Sequence, residues 1–152
     1  MDRLLLVAAL VVVAVVVAQV LQRRRPEPPT QGRWPVPTQL DRADFEGADR
    51  PWLVVVFTST TCDSCAKAVE KASALASDEV AFQDVPYQSR KDLHQRYAVE
   101  AVPTILAVDP EGVVQASFVG TPTATDLWAA VAEARTPGSS PEPDLGRPPE
   151  LP

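Results

Sequence analysis

WLVVVFTSTTCDSC, residues 52–65, carries three signals in succession. Residues 52–57 form an unbroken β-branched and aromatic run, suited to a central strand buried on both faces. Thr58, Ser59, Thr60 and Thr61 interrupt it with hydroxyls, which favour a loop and the start of a helix over further strand. Cys62 and Cys65 follow, separated by Asp63 and Ser64. Beyond them Val69, Ala72, Leu75 and Ala76 recur at three- and four-residue steps, with Lys67, Glu70 and Lys71 on the other side, which predicts an amphipathic helix.

Cys62 and Cys65 are the only cysteines in 152 residues, so no disulfide framework holds this chain together and its core must come from apolar packing. A thiol reacts as its thiolate, and a cysteine at the first turn of a helix has its pKa lowered by unpaired N–H groups and the positive end of the helix dipole. Cys62 is expected at that position. Cys65 lies about one turn further on and faces inward with Ala66 and Val69, within reach of a mixed disulfide formed at Cys62. These residues point to Cys62 as nucleophile and Cys65 as resolving thiol. Residue 66 is Ala, so the pair is not a haem attachment motif. A structural zinc site normally takes four ligands, and the one other soft candidate, His94, is expected on the exposed side of a short helix, so no metal is assigned.

The sequence around this segment alternates strand and helix, which predicts an α/β domain over residues 38–135 with a mixed central sheet flanked by helices. A second strand is expected at 80–85 and a short polar helix at 89–97. Residues 104–108 and 113–118 flank Asp109-Pro110-Glu111-Gly112, whose proline and glycine predict a hairpin turn. A final helix over 123–134 places Leu127, Trp128 and Val131 on one face, with Thr123 and Asp126 at its start.

A strand, a hydroxyl-rich loop, C-x-x-C opening a helix, Val102-Pro103-Thr104 leading into a hairpin, and Val119-Gly120 before a last helix together resemble the thioredoxin family. The similarity runs over residues 40–134. It implies a thioredoxin-like fold, thiol–disulfide exchange with protein substrates, and a redox-active Cys62–Cys65 disulfide with no other cofactor. It also implies that Pro103 is cis beside the cysteines, with Val102, Pro103 and Thr104 as the substrate-binding segment. The resemblance departs at the tuning groups. Thr61-Cys62-Asp63-Ser64-Cys65 replaces the family's Trp-Cys-Gly-Pro-Cys, and Asp63 places a negative charge beside Cys62 that should raise its pKa. Val56 stands where the family has a buried acid, and Asp84 where it often has a lysine, so Asp84 is a candidate proton acceptor for Cys65, with a strand-end aspartate in solvent as the alternative. These departures leave open a non-enzymatic binding module of the same fold, or a carrier of metal on the two thiolates.

Outside the domain, residues 4–21 are apolar apart from Gln19, which is about the length that crosses a hydrocarbon core as a helix. With Arg23, Arg24 and Arg25 after it and a start poor in positive charge, this segment reads as a single uncleaved anchor rather than a signal peptide. The arginines place the domain on the cytoplasmic side, with an extracytoplasmic domain as the alternative. Residues 22–37 are a proline-rich spacer, and residues 136–152, with six prolines, are expected to be a disordered tail. The expected partners are therefore membrane or membrane-proximal protein thiols and disulfides, together with a redox donor or acceptor. The net charge of −6 excludes a nucleic-acid partner, which would require a basic face.

Overall fold

A computed structural model describes residues 34–148 of the chain. The expected anchor at 4–21 and its three arginines lie outside them. Among the described residues no helix is long and apolar enough to cross a membrane.

The strand expected from its β-branched run is β1, Trp52–Thr58, and it occupies an interior place in a four-stranded sheet. Its neighbours are β2, Val80–Pro86, which runs parallel to it, and β3, Thr104–Val108, which runs antiparallel. Strand β4, Val114–Val119, pairs antiparallel with β3 and closes the order β2-β1-β3-β4. Residues 53–57 are each no more than 1% exposed, so both faces of β1 are covered, as an unbroken apolar run requires. Val54 and Val56 face helices α1, Cys65–Ser73, and α3, Ala124–Arg135, through Ala68, Ala72, Leu127, Ala130 and Val131. Leu53, Val55 and Phe57 face the short helix α2, Lys91–Arg96, through Leu93, and the preceding segment through Leu40 and Phe45. Alternation along one strand thus divides the core into two layers.

That preceding segment gave little periodicity to read. It is held by backbone bonds from Leu40 N–H to Gly112 O and from Val114 N–H to Thr38 O, 2.8 and 2.9 Å. After a 3-10 turn at Arg42–Asp44, the Arg42 guanidinium donates to four carbonyls, of Gly47, Arg50, Pro51 and Asp109, at 2.7–3.3 Å. Burial lowers the Arg42 pKa from its ordinary value, with the negative charge of Asp109 opposing. Asp109 organises the hairpin turn, accepting from Val113 N–H and from the Gln115 amide. Gly112 sits at φ +84°, and a Cβ there would lie 2.1 Å from Leu40 O, so the turn needs glycine for both backbone conformation and space.

Two expectations are corrected. His94 is not on an exposed face: it is 3% exposed, its Nε2–H donates to Val85 O at 2.9 Å, and its ring meets Phe57 and Tyr87 edge-on. An imidazole with one backbone acceptor and two aromatic neighbours buries as a small aromatic does. Trp128 is 46% exposed while Leu127, Ala130 and Val131 turn inward. Its indole Nε1–H donates to Lys71 O at 3.1 Å, which ties α3 to the end of α1 from the exposed side.

Residues 136–148, expected to lack structure on composition, lie against the domain. Leu145 packs on the layer beneath α3, Ser117 N–H donates to Gly146 O at 2.6 Å, and the Glu133 carboxylate accepts from the N–H groups of Gly138 and Ser140. One apolar residue in a proline-rich run suffices because it meets a preformed surface, and the Gly146 carbonyl bonds an N–H of edge strand β4.

Candidate functional site

The cysteine loop grows from the end of β1. Thr58 O accepts from Tyr87 N–H at 2.8 Å, tying the last residue of the strand to the loop after β2. Gln88 from that loop grips the hydroxyl run at two points: its carbonyl accepts from Thr60 N–H and its amide donates to Ser59 Oγ, both 3.0 Å. Ser59 O in turn accepts from Cys62 N–H at 3.1 Å. Gln88 thus holds the loop that leads to Cys62, and nothing in its sequence context signals this.

Cys62 and Cys65 are joined by a disulfide with Cα atoms 5.4 Å apart. Cys65 opens α1 and is 4% exposed, whereas Cys62 is only half-buried. Cys62 is thus the more exposed member of the pair. The helix begins later than the sequence suggested: Ser64 is its N-cap, and Cys62 sits ahead of it on a turn closed by Cys65 N–H donating to Cys62 O at 3.2 Å. Cys62 therefore feels the helix N-terminus from outside its first turn.

A groove of about 320 Å³ runs beside the disulfide, lined by Thr58, Ser59, Thr60, both cysteines, Ala66, Val69, Asp84 and Pro86. Asp84 pairs in register with Val56 and so lies on the α1 face of the sheet, where Thr58 Oγ1 donates to its carboxylate at 2.7 Å. Asp84 and Cys65 thus share one groove, although the aspartate is exposed. The Thr58 hydroxyl bonded to it was not singled out in the sequence.

At the same end of the sheet, Thr104 pairs with Phe57, so Val102 and Pro103 precede β3 at the end of β1 from which the cysteine loop grows. The Val102–Pro103 peptide is cis. Pro103 O accepts from Gly120 N–H at 2.7 Å and the Thr104 hydroxyl donates to Ala101 O, so both flanks are fixed. Val102 N–H and C=O make no hydrogen bond among the described residues. A larger hollow, about 530 Å³ between Asp41, Arg96 and Pro110, lies at the opposite end of β1 and contains no thiol. There Tyr97 donates to Asp44, and burial followed by that bond raises the Tyr97 pKa. Among the described residues no group of three or more His, Cys, Asp or Glu is gathered as a metal site.

The family model of the thioredoxin-like domain matches residues 38–135. This chain belongs to the thioredoxin-like family. Two solved structures agree on the fold of this thioredoxin-like chain. The germline-specific thioredoxin Deadhead of Drosophila melanogaster superposes with a TM-score of 0.51 at 24% identity, over 60% of this chain and 88% of its own. A malarial protein superposes with a TM-score of 0.51 at 17% identity, over 56% of this chain and 98% of its own. Fasciola hepatica thioredoxin is 27% identical, over 55% of this chain and 81% of its own, with a TM-score of 0.49. No curated protein matches the sequence significantly.

Proposed function

We propose that this thioredoxin-like chain is a membrane-tethered thiol–disulfide oxidoreductase acting on protein disulfides near the membrane. The observation that carries the chemistry is the asymmetric pair: a half-buried Cys62 bonded to a buried Cys65, both lining one groove. The tether rests on the apolar composition of residues 4–21 alone.

In the reducing direction, the Cys62 thiolate attacks one sulfur of a substrate disulfide. A new S–S bond forms as the substrate S–S bond breaks, and the leaving thiolate takes up a proton. Cys65 then loses its proton to Asp84 and attacks Cys62 Sγ. The Cys62–Cys65 bond forms, and the second substrate thiolate leaves and is protonated. The substrate gains two electrons and two protons, the pair loses the same, and a dithiol donor returns it to the reduced form. Val102 N–H and C=O would pair with extended substrate backbone, as one strand pairs with another.

The test is turnover of a protein disulfide by the full chain with dithiothreitol as donor. Cys62→Ser is expected to abolish turnover, Cys65→Ser to accumulate the mixed disulfide at Cys62, and Asp84→Asn to slow release. An active Cys62→Ser variant would overturn the reading, and an unchanged rate in Asp84→Asn would remove the aspartate from it.

A further inference from the structure

The half-buried Cys62 sulfur has one side-chain hydrogen-bond partner among the described residues, the Ser64 hydroxyl, with Oγ 3.6 Å from Sγ. A disulfide sulfur carries no proton, so the serine is the donor in this pair. That use of the hydroxyl is unusual for its place. Ser64 is the N-cap of α1, where a serine ordinarily accepts from a backbone N–H of the first turn and so stabilises the helix. Here its backbone is helical, at φ −85° and ψ −14°, and its side chain makes no capping bond. The hydroxyl is directed to the sulfur instead.

We propose that Ser64 is a positioning residue that donates its hydroxyl hydrogen to the Cys62 thiolate and lowers that thiol's pKa. Two observations on the same loop give the donor its work. Cys62 lies ahead of the helix rather than in its first turn, which weakens what the helix N-terminus alone supplies. Asp63, exposed and adjacent, brings a negative charge that opposes thiolate formation. A neutral donor aimed at the sulfur offsets both, because a hydrogen bond to the charged form favours that form. Serine supplies it without a cation that would itself pair with Asp63.

The proposal rests on the oxidoreductase reading, and the experiment separates the two. The reduced full chain is alkylated with iodoacetamide across pH, and the rate at Cys62 is read by peptide mass spectrometry. In parallel the Cys62–Cys65 pair is equilibrated with glutathione buffers. Ser64→Ala is expected to raise the Cys62 pKa by roughly half to one unit, corresponding to a roughly three- to tenfold smaller thiolate fraction on the acid side. Ser64→Thr, which keeps the hydroxyl, is expected to restore the wild-type profile. A Ser64→Ala variant that cycles with glutathione and titrates as wild type would overturn the role of Ser64 and leave the oxidoreductase reading standing. A wild-type pair that does not cycle would overturn both. A helix-capping role alone would lower the thermal midpoint of Ser64→Ala with no movement of the Cys62 titration, and that result also overturns the proposal.

Discussion

Cys62 and Cys65 differ by their surroundings rather than their chemistry: Cys62 is half-buried on the turn ahead of α1, and Cys65 is buried as the first residue of that helix. The spacing carried their nearness, since three residues is about one helical turn; the difference in burial comes from Cys62 lying ahead of the helix that Cys65 opens. His94 was less legible. Its neighbours Lys91, Gln95 and Arg96 read as a solvated helix, and only tertiary packing brings Phe57, Tyr87 and Val85 O around the ring. Glu133 was illegible for a similar reason, since its partners are backbone amides of a segment with no periodicity. Those amides, Gly138 and Ser140, hold its carboxyl below the usual glutamate range. A folded-state pKa below the unfolded value means a contribution fully present above about 4.5 and lost as pH falls through the folded value. The amide proton shifts of Gly138 and Ser140 are accordingly expected to move together in one titration beginning below pH 4.5. In Glu133→Gln that titration should vanish, whereas its persistence would assign it to another group.

At the scale of elements, the four strands and three α-helices among the described residues were legible because each carries its own period or run. Their ends shifted by a few residues where caps and turns decide. Thr123 Oγ accepts from Asp126 N–H and starts α3 at Ala124, while the Asp109 carboxylate draws Val113 into the turn and starts β4 at Val114. The segment before β1 was not legible. Its order depends on one arginine reaching carbonyls up to 67 positions away, and no local pattern encodes such a reach. Arg42→Ala is expected to destabilise the domain by about 2–3 kcal/mol, from four carbonyls losing a charged donor and the loop from Gly47 to Pro51 coming loose. For a domain of this size that lowers the thermal midpoint by roughly 10–20 °C. A change of less than about 3 °C in a calorimetric scan would show that the guanidinium bonds are replaced by water at no cost.

Across the whole sequence, the thioredoxin-like domain follows an apolar segment and a stretch with five prolines. The fold was legible as a whole because the order of signals, from strand through C-x-x-C and helix to Val-Pro-Thr and hairpin, is itself a constraint. The direction of electron flow was not, since it depends on groups that depart from the family at Val56, Asp63 and Asp84. The anchor reading makes its own prediction. Full chain expressed in intact cells should sediment with membranes and resist alkaline extraction. With arginines 23–25 inside, reduced Cys62 should react with a membrane-impermeant maleimide only after the cells are opened. Labelling of intact cells would reverse the orientation, and release by alkali would remove the anchor.

The central claim is that Cys62 and Cys65 form a working redox couple, and the most direct measurement is equilibration of the full chain against graded glutathione buffers with thiol trapping. The account predicts a reversible two-electron transition with both thiols appearing together, at a potential between about −270 and −120 mV, the span of known exchangers of this kind. A pair that stays oxidised or stays reduced across the whole series, or two thiols that respond independently, would contradict it.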